Sequence, residues 1–125
     1  MVTSLPRFDL PALFDKALIF GGTHSREDIV DGLKKGRYQY FGGETVAAVT
    51  EIIDYPSSRK LHILFAAGDY RQMIKQFLPI LRNYAIDHGC DSITTNGRRG
   101  FIRRLPIVGF KPTHVVFELE LEDTV

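Results

Sequence analysis

The stretch from Thr45 to Thr95 constrains this chain most. Two segments rich in Val, Ile and Thr or in other apolar residues, Thr45 to Tyr55 and Lys60 to Ala66, are separated only by a turn at Pro56, Ser57 and Ser58. So short a connection forces two strands to pair antiparallel. Gly68 and Asp69 then open a segment in which Met73, Ile74, Phe77, Leu81, Tyr84 and Ala85 recur three or four positions apart, the period of one helix face. Gly89 ends it, and Cys90 to Thr95 reads as another short strand. Strand, helix and strand in that order predict a crossover with parallel strands and a right-handed turn. A sheet holding both an antiparallel hairpin and this crossover is mixed.

The flanks extend the pattern. Arg37 to Phe41 is aromatic and strand-like, and Gly42, Gly43 and Glu44 turn it into the next strand, giving a three-stranded meander. The run from Leu61 to Phe65 is nearly continuous in apolar residues, so both faces of that strand are expected to be covered. Pro79 lies inside the long helical pattern and should kink or split it near Phe77. Upstream, Asp9 before Leu10 and Pro11 marks a first helix, which Gly21 and Gly22 end. Ser25 with Asp28 three residues on forms a capping box for a second helix, with Ile29, Val30 and Leu33 on its apolar face and Gly36 at its stop. Downstream, Asn96 and Gly97 turn the chain, Arg98 to Leu105 forms a short amphipathic helix, and Pro106 to Pro112 is a loop. His114 to Leu121 is the last expected strand, with Val115, Phe117, Leu119 and Leu121 on one side and Glu118 and Glu120 on the other. The predicted fold is α/β, in the order α-α-β-β-β-α-β-α-β.

With 125 residues, the expectation is a single domain over 1–125. The helix within 1–24 is expected to lie on the sheet or to dock on a partner. A formal net charge of +1 gives no global attraction for a polyanion, so any basic site must be local. One cysteine, Cys90, excludes an intrachain disulfide and fits a reducing compartment. The first residues lack a signal-peptide core, and no apolar run approaches membrane length, so a cytoplasmic protein with no membrane association is expected. His24, His62, His88 and His114 show no metal-ligand spacing, and no metal is expected.

The element order, over Ser25 to Leu121, is similar to that of the GNAT superfamily of acyl-CoA N-acyltransferases. A Gly-Phe pair commonly follows the helix after the fifth strand there, and Gly109-Phe110 stands at that place. Residues 89–93 and 96–105 also resemble short GNAT-like proteins encoded by bacteriophages, often beside virion-morphogenesis genes. The resemblance implies acetyl-CoA, or no cofactor, at the start of the long helix, over Ala66, Ala67, Gly68, Asp69, Tyr70 and Arg71. Two departures stand out. The usual pyrophosphate signature Q/R-x-x-G-x-G/A is missing, with Gly68 alone permitting close backbone approach and Asp69 placed to cap the helix itself. Leu105 occupies the position where many of these enzymes carry a tyrosine acid.

Local chemistry leaves several readings open. Glu51 and His62 lie on neighbouring strands, and a base that deprotonates an amine would come from such strands, with Glu51 the catalytic candidate; both also suit ordinary solvated or backbone-bonded roles. Arg98, Arg99, Arg103 and Arg104 put four arginines within seven residues. They suit phosphate, including the 3′-phosphate of CoA, a protein partner, nucleic acid, or a solvated face. Phe101 is the one aromatic among them, so nucleic acid is not favoured. Tyr38, Tyr40 and Phe41 could line a pocket or an interface, or simply pack; Cys90 reads as a small buried hydrophobe. Three functions follow as expectations. The first is a phage-type GNAT-fold protein of divergent or absent acetyltransferase activity, working through protein contacts in virion assembly or toward a host, in the host cytoplasm or the virion. The second is an active acyl-CoA N-acyltransferase. The third is an arginine-mediated nucleic-acid-binding module. A protein partner or homo-oligomer is compatible with each.

Overall fold

The computed structural model of the chain describes residues 23–42, 46–96, 109–114 and 116–121. Helix α1, Arg26–Lys34, begins at Ser25, whose side chain accepts from the Asp28 N–H while the Asp28 carboxylate accepts from the Ser25 N–H. This is the reciprocal capping box, made with aspartate instead of the longer glutamate. At the other end the Arg37 N–H bonds the Gly32 carbonyl, and Gly36 adopts φ 74° to close the turn, a conformation that costs glycine nothing.

Strands β1 (Tyr38–Gly42), β2 (Val46–Tyr55), β3 (Ser58–Gly68) and β4 (Ser92–Thr95) form one sheet in that spatial order. β1–β2 and β2–β3 are antiparallel and β3–β4 is parallel, so the mixed sheet expected from the crossover is present. Between β3 and β4 the chain is helical throughout: α2 (Tyr70–Gln72), a π-helical stretch (Met73–Phe77) and α3 (Leu78–Asp87). The division falls at Phe77, where Pro79 was expected to act. Pro79 has no N–H to donate and its ring crowds the preceding turn; the wider π turn, with the Leu78 N–H reaching back to the Met73 carbonyl, relieves that crowding.

Helices cover both faces of the sheet. On one, Ile29 of α1 packs with Tyr38, Tyr40, Ala47, Val49 and Phe65. On the other, Phe77, Leu81 and Ala85 pack with Phe41, Val46, Ala48 and Leu61. Strand β3 contributes to both clusters, as its continuous apolar run requires. Tyr38, Tyr40 and Phe41 are core residues, and Cys90 packs at the edge of the second cluster, with burial pushing its thiol pKa up. Thr50 is fully buried on the second face, and its hydroxyl donates to Gln39 Oε1 at 2.8 Å, which removes the cost of an unpaired hydroxyl there.

One expected element is not formed. Residues 116–121 make no strand, and Val116, Phe117, Leu119 and Leu121 are 75–91% exposed. Alternating apolar and acidic side chains give strand propensity, but a strand exists only where a neighbour completes its hydrogen bonds, and none of the described residues pairs with this segment. The first predicted helix and the helix over Arg98 to Leu105, with all four arginines, lie outside the described residues.

Candidate active site

The helix start and the β3–β4 seam define the candidate site. Asp69 caps the helical run, its Oδ1 accepting from the Arg71 N–H at 3.1 Å. Gly68 immediately before it has φ 117°, a backbone conformation that a side chain would strain. Ala66 and Ala67 are partly buried against opposite faces of the sheet, while Gly68, Asp69 and Arg71 are exposed and Tyr70 is half-buried. The sequence thus placed the turn and the cap correctly. The cap also means that the Asp69 carboxylate already holds an N–H that an incoming phosphate would seek.

Beside this turn, among the described residues, the sheet opens. β3 runs to Gly68, but its pairing with β4 covers only Lys60↔Ser92 through Ile63↔Thr95. Among the described residues, Leu64 to Gly68 have no neighbour on that side. At the same level β3 carries a bulge: Val49 pairs with Phe65 and Thr50 with Ile63, leaving Leu64 as the extra residue. A bulge bends its strand and turns its backbone out of the ladder, which is how sheets re-aim groups beside active sites. Phe65 packs in the α1-side cluster and Phe77 in the opposite one, so these two rings do not meet in the opening.

One register step below the opening, a polar row crosses the sheet on the face that carries α1. The pairings Tyr38↔Glu51, Glu51↔His62 and His62↔Thr94 put these side chains on one face in sequence across all four strands. His62 Nδ1 lies 2.8 Å from Thr94 Oγ1. Glu51, with its side chain only 15% exposed, accepts from Arg37 Nε at 2.7 Å. Lys60 Nζ donates to Ser92 Oγ at 3.0 Å at the next same-face position. His62 is half-buried, and that desolvation pulls its pKa below the ordinary histidine value, with the Glu51 charge opposing in part. The two residues singled out in the sequence, Glu51 and His62, are therefore brought together. Thr94 and Arg37, which complete the row, were missed because their roles come from strand register, which no local motif encodes. Among the described residues no cluster of His, Cys, Asp and Glu could hold a metal, and no helix is long and apolar enough to cross a membrane.

No protein-family model matches the sequence, and no curated protein is significantly similar to it. Solved structures are similar in fold. A probable acetyltransferase superposes with TM-score 0.73 at 15% identity, over 98% of this chain and 98% of that one. An aminoglycoside acetyltransferase from an uncultured soil metagenomic sample, in complex with sisomicin, gives 0.66 at 14% over 98% and 96%. A predicted acetyltransferase with acetyl-CoA from Clostridium acetobutylicum gives 0.63 at 18% over 87% and 86%. Together with the mixed sheet and the helical crossover, these likenesses show that the chain has the fold of GNAT-type acetyltransferases.

Proposed function

We propose that the chain is an acyl-CoA-dependent N-acyltransferase that binds acetyl-CoA or a related thioester in the opening between β3 and β4. The observation that carries this reading is that, among the described residues, the β3–β4 pairing ends at Ile63↔Thr95, directly below the Leu64 bulge. An extended acyl-pantetheine arm can lie in such a gap and bond the unpaired backbone edge of β3 as a strand would. The bulge turns backbone toward the thioester. Gly68 to Arg71 receive the pyrophosphate: Gly68 lets the backbone approach closely, Arg71 supplies charge, and the Asp69 side chain yields its hold on the Arg71 N–H. Arg98, Arg99, Arg103 and Arg104 remain candidates for the 3′-phosphate or a partner. The structure with acetyl-CoA among those of similar fold supports this choice of cofactor. In the reaction a neutral amine attacks the thioester carbonyl, the C–N bond forms, the C–S bond breaks, and the CoA thiolate leaves and takes up a proton. The polar row that holds Glu51 and His62 supplies the base from one of its residues.

Thermal melting with and without millimolar acetyl-CoA tests the binding, with ATP as control. A ligand at a hundred times its dissociation constant stabilises the native state by about 2.7 kcal/mol, which a small domain shows clearly. A shift specific to CoA species and lost in Gly68→Glu is expected; no shift at saturation would sink the proposal. A second reading, a bacteriophage-type role through protein contacts with little acyl transfer, draws on the exposure of Phe117, Leu119 and Leu121. It predicts no shift with any CoA species.

A further inference from the structure

We propose that His62, and not Glu51, takes the proton from the acceptor amine, with Thr94 fixing its tautomer and Glu51 supporting its charge. The inference rests on the acyl-CoA reading above and assigns the base within it. Glu51 was the candidate from sequence, yet its carboxylate is already engaged by Arg37 Nε at 2.7 Å and its side chain is only 15% exposed, so it is not free to reach an incoming amine. His62 has what Glu51 lacks. It stands on β3 itself, two residues before the Leu64 bulge, and its partner Thr94 is one residue before Thr95, the last pair of the seam. The ring therefore sits on the sheet face just below the stretch of β3 that has no described partner. When Nδ1–H donates to Thr94 Oγ1, 2.8 Å away, Nε2 is left with its lone pair and makes no bond among the described residues. Half-burial keeps the ring neutral at physiological pH, and Glu51 in the adjacent register position steadies the imidazolium once formed.

The step balances without a further reactant beyond the acyl-CoA. An ammonium N–H gives its proton to Nε2, the freed amine attacks the thioester carbon, the C–S bond breaks, and the departing thiolate takes up the second proton that the nitrogen loses as the amide forms. The imidazolium then returns its proton to solvent. The groups that face the ring are Glu51 on β2, Thr94 on β4, and, further along the same face, Tyr38, Lys60 and Arg37. His24, ahead of α1, stacks edge-on to Phe65 at 5.4 Å between centroids and is the other histidine on this side.

The test uses the full chain, acetyl-CoA, and two acceptors: benzylamine, which arrives protonated, and aniline, which arrives neutral. CoA thiol release is followed against pH, with melting in acetyl-CoA as the binding readout. His62→Gln keeps a polar group facing Thr94. It should lower transfer to benzylamine by about 10²- to 10⁴-fold, affect aniline far less, and leave the acetyl-CoA melting shift unchanged. Glu51→Gln should move the acid limb of the profile to lower pH and retain it, and Thr94→Val should reduce the benzylamine rate without abolishing the limb. Nitrogen-15 chemical shifts of wild-type His62 should report the Nδ1–H tautomer. Wild-type rates and profile in His62→Gln, or an Nε2–H tautomer, would overturn the assignment while the acyl-CoA reading stands. Acetyl-CoA binding without CoA release to either amine overturns it too. Absence of any melting shift in the wild type removes the reading and the assignment together.

Discussion

Gly32 offers the sharpest test of how α1 sits on the sheet. The glycine is buried in the middle of the helix, and a Cβ built there would clash with the Cδ2–Cε2 edge of the Tyr38 ring, itself 8% exposed. In an exposed helix, Gly→Ala stabilises by about 1 kcal/mol because alanine loses less backbone entropy. Here the added methyl must displace a packed ring whose hydroxyl also lies 3.4 Å from His24 Nε2. Overpacking of this kind costs about 1–3 kcal/mol. The steric term wins, and Gly32→Ala should destabilise by roughly 1–2 kcal/mol, lowering Tm by roughly 4–8 °C in a chain of this size. Chemical denaturation and calorimetry measure both quantities. In a Tyr38→Ala background the obstacle is gone, so the same Gly32→Ala change should become stabilising, and the double-mutant cycle should show the difference as coupling. If Gly32→Ala stabilises the wild type as it would an exposed helix, the close approach of α1 to Tyr38 is wrong.

Three further predictions follow from single contacts. Thr50→Val removes the buried hydroxyl bonded to Gln39 and should cost about 1 kcal/mol in denaturant titration; an unchanged midpoint would mean that the bond contributes nothing. His62 has its pKa depressed in the folded chain, so below about pH 6.5 the unfolded chain binds more protons. Stability should therefore be full at neutral pH and fall as pH drops from that value to the lower folded-state pKa. His62→Gln should flatten this part of the Tm-against-pH curve, and parallel curves would refute it. Phe117 is 91% exposed, so Phe117→Ser should change stability by no more than about 0.5 kcal/mol. A loss of several kcal/mol would show that this segment is buried when the protein folds.

The elements of the sheet and its first helix were legible locally. Ser25 and Asp28 fixed the start of α1 because a capping box is short-range hydrogen-bond chemistry. Pro56 to Ser58 and the Val, Ile and Thr pattern around it specified the β2–β3 hairpin, and Pro79 announced the break in the long helix. Gly68 and Asp69 marked the turn at the site for the same reason: positive φ and capping belong to one or two residues. Tertiary structure alone decided the rest. The Leu64 bulge is invisible in the apolar run that contains it, since a bulge is a mismatch between two strands and not a property of either. The place of Thr94 beside His62 depends on the register of a parallel pair joined through a long helical crossover. The exposure of Phe117 and Leu119 likewise departs from a strand pattern that periodicity states clearly. Alternation says which side chains would share a face; only a neighbouring strand, brought near by the folding of distant residues, determines whether that face is buried.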